Sequence, residues 1–389
     1  MSTSGLSTQE GGRTVWPVSR RAGRATSPMS LAMCALMLSA CVTVGGAEGE
    51  DARAEQDQQR RGIHVLMGSK AAVPHVERLI DLSAALGLNW LILEVNNNFA
   101  YQSHPEVAEP DSMDAEDAHR LAKLAREKGI RLVPQYQCLG HQSWREDTGA
   151  LLRAHPEFNE APDLDPSARG FYCMSWCPNH PDLNPLIFDL FDELLEAFEA
   201  DAFHVGMDEV FILGQCERCK GTPNAELLAK AVNDYHAHLV GRRGVEMLMW
   251  GDRLLDAEAM GYGRYDASRN DTWQAIDMIP KDIVMCDWHY GLKDDYPSVR
   301  YFQQKGFRVW PAGWNEEDAV RRFIEVSRKD ASEKMVGYLA TTWTSLEDIV
   351  TMLAAEQVKK RNRRAADIAT CVSLAAEVMQ EGDPESAAE

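Results

Sequence analysis

The chain is predicted to fold as one α/β domain of the (β/α)8 TIM barrel type, and three observations lead there. From residue 62 onward, eight short apolar runs alternate with amphipathic helical segments. No hairpin signature joins consecutive runs, so the strands are expected to be parallel. Polar and aromatic residues gather where the runs end, which is where a barrel carries its chemistry. The alternative is an open doubly wound sheet, but no glycine-rich phosphate loop follows the first run.

The predicted strands cover 63–67, 90–95, 131–137, 202–207, 246–250, 283–288, 308–314 and 335–342. Helical patterns fill 75–86, 115–128, 184–199, 225–240, 299–305 and 316–329, and a last one covers 345–356. The segment LNPLIFDLFDELLEAFEA shows why: its apolar residues recur at 3- and 4-residue spacing, which places them on one helix face. Gly87, Gly129 and Gly306 follow helices where a left-handed cap is wanted.

The strand ends carry the unusual residues. Strand 2 ends at Glu94, strand 3 runs into Gln137 and His141, and strand 4 ends in Asp208 and Glu209. Strand 5 ends in Trp250 and Asp252, and strand 6 in Trp288, His289 and Tyr290. Trp314 closes strand 7 and Trp343 strand 8. Barrel cores favour branched aliphatics, so tryptophan near four consecutive strand mouths points to a ligand rather than to core filling. Flat aromatic faces beside carboxylates suit a sugar, whose C–H face stacks while its hydroxyls find polar partners. Trp310 is expected to pack.

The 389 residues carry a formal charge of -20, which argues against nucleic acid as a partner because phosphate binding needs clustered lysine and arginine. The N-terminus reads as a targeting segment over 1–41. Arg20, Arg21 and Arg24 precede an apolar run at 31–38, too short to span a bilayer. Leu38-Ser39-Ala40-Cys41 resembles a bacterial lipobox, which implies export, lipidation of Cys41 and anchoring in the cell envelope. Cleavage near Ala40 without lipid is the simpler alternative. Residues 42–61 are polar and charged and are expected to form a flexible tether, with the barrel over 62–380.

Of nine cysteines, Cys34 lies in the targeting segment and Cys41 in the lipobox. Cys173 and Cys177 form CMSWC, and Cys216 and Cys219 form CERC. The CxxC spacing suits a structural zinc site; export suits disulfides. Either way, these four are expected in one cluster, because the loops after strands 3 and 4 are neighbours on the rim.

Alternation along strand 4 places His204, Gly206 and Asp208 on one face, taken as the interior. Glu209 reaches the same pocket only if the strand ends there and the loop turns it in. Adjacent carboxylates do not easily flank a sugar ring, as a nucleophile and acid pair must. They suit a scheme in which one delivers a proton and the other steadies a nucleophile supplied by the substrate. The bland alternative is an N-cap with an ordinary first-turn acid.

HVGMDEV resembles the H-x-G-x-D-E motif of glycoside hydrolase family 20, the β-N-acetylhexosaminidases. VPQYQCLGH, MWGDRLL and GYLATTWTSLED are similar to that family's strand-3, strand-5 and strand-8 elements, in the same order. The resemblance covers roughly 62–355 and is closest to the short, barrel-only hexosaminidase D subgroup, so the smaller N-terminal domain of the large hexosaminidases is not expected. It implies a retaining exo-hydrolase acting on terminal N-acetylglucosamine or N-acetylgalactosamine, with no catalytic cofactor. Glu209 would be the general acid. Asp208 would hold the 2-acetamido N–H while the acetamido oxygen attacks, giving an oxazolinium. Tyr290 would bond the acetamido oxygen, and Trp250, Trp288 and Trp343 would wall the acetamido pocket. Asp252, Glu94 and His141 would contact hydroxyls or support the site, with His204 in a supporting role. Two departures stand out. The strand-1 end, Leu66 to Lys70, carries neither the arginine nor the aspartate usual there, and Met207 replaces a small residue. A non-catalytic carbohydrate-binding lipoprotein on the same barrel is the alternative function.

Overall fold

The computed structural model describes residues 59–144, 146–168, 171–354 and 362–381, all within one compact unit, Gln58–Glu389. The targeting segment, the lipobox with Cys41, and nearly all of the proposed tether lie outside the described residues.

Eight parallel strands close into a barrel: β1 (Arg60–Leu66), β2 (Trp90–Glu94), β3 (Arg131–Cys138), β4 (Ala202–Gly206), β5 (Glu246–Trp250), β6 (Val284–Trp288), β7 (Arg308–Gly313) and β8 (Gly337–Thr341). They pair in chain order, and β1 joins β8, with Ile63 opposite Ala340. All eight predicted strands exist. β1 begins two residues before the predicted tether boundary, because the Arg60 N–H bonds Val336 O (2.8 Å) and its guanidinium covers Trp90 at 4.1 Å.

The major outer helices are α1 (Val73–Ala85), α2 (Ala115–Glu127), α3 (Leu183–Phe198), α4 (Asn224–His236), α5 (Pro297–Gln304), α6 (Glu317–Lys329), α7 (Leu346–Leu353) and α8 (Arg363–Glu381). The apolar stripe of α3 is buried as its spacing predicts, from Leu183 and Leu186 to Leu194 and Phe198. Asp114 and Asp117 form a reciprocal capping box on α2. Gly87, Gly129 and Gly306 have φ of 70°, 70° and 94°, the left-handed caps expected. Helix α8 was not expected; its buried residues, such as Ile368, Val372 and Ala376, pack against the barrel shell. A two-residue antiparallel ribbon, Ser143–Trp144 with Asp147–Thr148, also departs from the all-parallel expectation. It lies in the β3–α3 loop, where its pairing does not disturb the barrel. Among the described residues no helix is long and apolar enough to cross a membrane.

The barrel interior has its own packed cluster, separate from the larger one between barrel and helices. It includes Trp90, Ile92, Val133, Leu248, Trp250, Cys286, Trp310 and Leu339. Trp310 does pack: its ring meets Trp90 edge-on at 5.4 Å. Gly62 makes room for it, since a Cβ there would stand 2.4 Å from Trp310 Cζ2. Near the N-terminal strand ends, Glu246 gathers Arg60 (2.8 Å), Arg131 (3.3 Å) and Arg308. Burial raises the Glu246 carboxyl, but the Arg60 charge and hydrogen bond, with Arg308 and Arg131, outweigh it and hold it below its usual range.

Glu246→Gln should therefore destabilise the fold by roughly 2–4 kcal/mol at neutral pH, since it strands partly buried arginines. The folded-state value is depressed, so this stabilisation is present above the unfolded glutamate value of about 4.3 and is lost as pH falls through the folded value. Urea denaturation at pH 7 and pH 3 checks it. A gap of equal size at both would rule out the charge as its cause.

Candidate active site

Strand β4 delivers the carboxylates, and its last turn decides their aim. The strand stops at Gly206, and Gly206, Met207 and Glu209 all take positive φ, at 65°, 78° and 50°. For a non-glycine residue that region costs roughly 1–2 kcal/mol. The turn sends the Met207 side chain outward into the shell core, fully buried, and Glu209 inward. The unusual size of Met207 is therefore taken up away from the pocket. Asn96, Leu139, His141 and Trp343, each just past a strand end, also have positive φ. With Met207 and Glu209 these are six of the eight non-glycine residues in that region among the described residues, so backbone strain concentrates at the barrel mouth.

Two glycines make the close approaches possible. Between Gln135 opposite His204 and Cys138 opposite Gly206, β3 holds one residue more than β4. This bulge brings Gln137 over Gly206, where a Cβ would lie 2.1 Å from Gln137 Oε1. Gln137 Nε2 then donates to Asp208 Oδ1 at 2.7 Å. At Gly140 a Cβ would stand 2.7 Å from Asp208 O.

His141 couples the pair. Its Nε2 lies 3.0 Å from Glu209 Oε2 and 3.3 Å from Asp208 Oδ2. Burial pulls the imidazole down, but the Asp208 charge and the close Asp208 and Glu209 carboxylates win, and it rises well above its ordinary value. Burial likewise raises Asp208, yet His141 and Gln137 hold it below the usual carboxylate range. The site thus keeps an anionic Asp208 beside a cationic His141. Burial, followed by the nearby Glu209 charge, pushes the Tyr172 phenol up.

Asp252 works behind this layer. Its Oδ2 accepts the Glu209 N–H (3.0 Å) and Arg253 Nε (2.6 Å), while Oδ1 accepts Trp288 Nε1 (3.3 Å). Burial pushes its carboxyl up to about 6, opposed by Arg253 and reinforced by Asp208. At 2 % exposure Asp252 orients Glu209 and Trp288 rather than facing solvent.

The aromatic wall assembles as the strand ends predict. Trp288 stacks on Tyr290 at 4.9 Å, and Trp343 Nε1 donates to Tyr290 Oη at 2.6 Å. Accepting that bond leaves the Tyr290 hydroxyl proton free to donate elsewhere. Trp250 is fully buried and forms the floor, touching His204 at 4.7 Å, His64 at 5.3 Å and Trp343 at 5.9 Å. His204 is also fully buried; its Nδ1 accepts the Gly206 N–H at 3.0 Å, so it props the strand end. Glu94 Oε2 is bonded by Gln135 (2.8 Å) and His64 (3.1 Å), and Oε1 by Asn96 (2.8 Å). Trp314 is half-buried, donates to Thr342 O at 3.0 Å and lies 5.3 Å from Tyr290.

Sequence reasoning placed Gln137 at a strand end but gave it no role in the site, though its two-residue offset from Gln135 was a signal. It also missed an aromatic rim. Tyr172 sits within 5.3–5.7 Å of Trp144, Phe211, Tyr265 and His141. His141, Trp144 and Tyr172 share the long β3–α3 loop while Phe211 and Tyr265 come from the loops after β4 and β5, and no spacing links them. The thiol prediction needs correction. Cys177, Cys216 and Cys219 do meet, but Cys173 lies apart, its Sγ 3.8 Å from Glu209 O. Glu160 takes the fourth place. The two cysteines of CMSWC meet different stretches of the same β4–α4 loop, Cys173 its start at Glu209 and Cys177 the CERC knuckle further along. At the strand-1 end, Met67 is buried and Lys70 pairs with Asp114 (2.6 Å) and Asp117 (2.9 Å).

Residues 71–349 match the model of the glycosyl hydrolase family 20 catalytic domain. Hexosaminidase D of Bos taurus is 24% identical over 269 residues, covering 65% of this chain and 70% of that protein. Among solved structures, a Flavobacterium johnsoniae chitobiase superposes with a TM-score of 0.57 at 19% identity, over 85% of this chain and 53% of that one. An exo-β-N-acetylglucosaminidase from Vibrio harveyi, solved with N-acetylglucosamine, gives 0.54 at 17% identity, over 83% and 58%. This chain therefore spans little more than half the length of those two solved chains.

Proposed function

The chain belongs to glycosyl hydrolase family 20, and from that premise we propose that it is a retaining exo-β-N-acetylhexosaminidase. Its substrates are terminal N-acetylglucosamine or N-acetylgalactosamine residues, and the catalysis is substrate-assisted. The observation that carries this reading is the adjacent pair Asp208 and Glu209, both within 3.3 Å of His141 Nε2 and faced by Tyr290 and tryptophans.

Glu209 gives its proton to the glycosidic oxygen as the C1–O bond breaks. The acetamido carbonyl oxygen forms the new bond to C1 from the opposite face, closing an oxazolinium ring. Asp208 accepts the acetamido N–H and balances the positive charge that develops there. Tyr290 donates to the attacking oxygen and fixes its line of approach. Water then attacks C1 as the oxazolinium ring C1–O bond breaks and the acetamide re-forms, the Glu209 carboxylate takes the water's proton, and the configuration is retained. The substrate supplies its own nucleophile, so the cycle needs no cofactor. The rim of Trp144, Tyr172, Phe211 and Tyr265 offers stacking faces for the leaving group; Trp144 is 59% exposed.

The test compares aryl N-acetyl-β-glucosaminide, N-acetyl-β-galactosaminide and β-glucoside. At least one N-acetyl sugar should be turned over, and the glucoside should be slower by about 10³-fold or more, because it lacks the internal nucleophile. Equal rates would sink the mechanism. Saturable binding without release would instead identify a carbohydrate-binding protein.

A further inference from the structure

We propose that Cys177, Cys216, Cys219 and Glu160 hold a structural zinc ion, independently of the glycosidase reading. All four residues are buried, and one donor atom from each lies within 4.8 Å of the others. Cys177 Sγ stands 3.3 Å from Cys216 Sγ and 3.5 Å from Cys219 Sγ, and Cys216 Sγ is 3.2 Å from Glu160 Oε2.

These separations discriminate between chemistries. A disulfide would bring two sulfurs to about 2.05 Å. Ligand atoms around a tetrahedral zinc, at about 2.3 Å for sulfur and 2.0–2.2 Å for oxygen, lie roughly 3.4–3.8 Å from one another. The three edges of 3.2, 3.3 and 3.5 Å fall within a few tenths of an ångström of that. Three thiols also leave one over in any disulfide pairing.

Glu160 is the second, independent observation. It is fully buried, and its Oε1 accepts the Gln215 N–H at 2.9 Å. Among the described residues no lysine, arginine or histidine pairs with it. A carboxylate buried without a cation is costly, and a divalent metal removes that cost. Three soft thiolates with one carboxylate in a four-donor set select zinc over calcium or magnesium, which take all-oxygen shells. The Cys216-x-x-Cys219 turn closes on itself, with Cys219 N–H to Cys216 O at 3.0 Å. Asn179 Nδ2 donates to Cys219 Sγ at 3.5 Å, the kind of outer contact that orients a metal ligand.

Four protein ligands leave no open position, so the ion would be structural. Glu160 and Cys177 belong to the β3–α3 loop, Cys216 and Cys219 to the β4–α4 loop. The same loops carry Tyr172 and Glu209. The ion would therefore tie together the two segments that carry the proton donor Glu209 and the rim residue Tyr172.

The experiment uses the whole protein, purified without a histidine tag or chelator, with zinc supplied during expression. Atomic emission should find about one zinc per chain, and removing it should lower the thermal midpoint by several degrees, as loss of a ligand of the folded state does. Cobalt added to the metal-free protein should give the strong thiolate charge-transfer and visible bands of a tetrahedral site. The Cys216→Ser/Cys219→Ser variant should hold less than about a tenth of an equivalent. If that variant does not fold, the cobalt bands decide: Glu160→Gln should shift them. The proposal is overturned if the wild type binds neither metal, if peptide mapping finds a disulfide among the three cysteines, or if the double variant keeps its zinc.

Discussion

Glu209→Gln should lower hydrolysis of an alkyl or sugar N-acetyl-β-glucosaminide by roughly 10²- to 10⁴-fold. The amide keeps the shape of the side chain, and the backbone N–H stays bonded to Asp252 Oδ2. What disappears is the proton that the departing oxygen needs. An aryl leaving group with strong electron withdrawal departs without that proton, so its first step should suffer far less. The dependence of rate on leaving-group acidity should accordingly be shallow for the wild type and steep for the variant. Kinetics over a series of substituted aryl glycosides, with an unchanged thermal midpoint as the folding control, measures this. Parallel dependences in both proteins would remove Glu209 from the role of general acid.

Asp208→Asn should act on a different term. Its carboxylate balances the charge of the cyclising acetamido group, so activated and unactivated substrates should both slow, by roughly 10²- to 10³-fold. A thiazoline mimic of the cyclic intermediate should bind the wild type tightly and lose affinity in parallel with the rate. The substitution also changes the linkage of the site to pH. Asp208 is depressed and His141 raised in the folded state. The aspartate's contribution to stability is present above its unfolded value of about 3.9 and is lost as pH falls through the folded one. The histidine's contribution is complete below about 6.5 and is lost as pH rises through its folded value. The stability gap between wild type and Asn variant should therefore be largest between about pH 4 and 6.5. Denaturation across pH 3–10 would show it. A gap constant over that range would mean that His141 and Asp208 are not electrostatically paired.

Much of this site was legible in the sequence because strand alternation and barrel topology act together. His204 and Asp208 share the inward face by a two-residue period. The barrel rule then brings Asp208 near Trp250, Trp288, Tyr290 and Trp343, which come from other strand ends. Roles within the site were less legible. Asp252 could be placed at a strand end, but only the three hydrogen bonds that consume its oxygens show that it orients Glu209 and Trp288. Trp250 was expected in the wall and is the floor, because its register partner is Cys286, two residues before Trp288, and at that depth His64, His204 and Trp343 cover it.

The sequence by itself determined the eight strands, their parallel order, and which strand ends face one mouth. Those follow from periodicity and handed connections, which are local or topological properties. It also set the pair Asp208 and Glu209 side by side. Tertiary structure alone decided which way Glu209 points, because that depends on left-handed φ at Gly206, Met207 and Glu209, held by contacts from β3 and β5. It likewise replaced Cys173 by Glu160 in the thiol cluster. A carboxylate 56 residues from Cys216 carries no spacing signature. Long loops bring such groups together through packing, and packing is not written in the distance between residues along the chain.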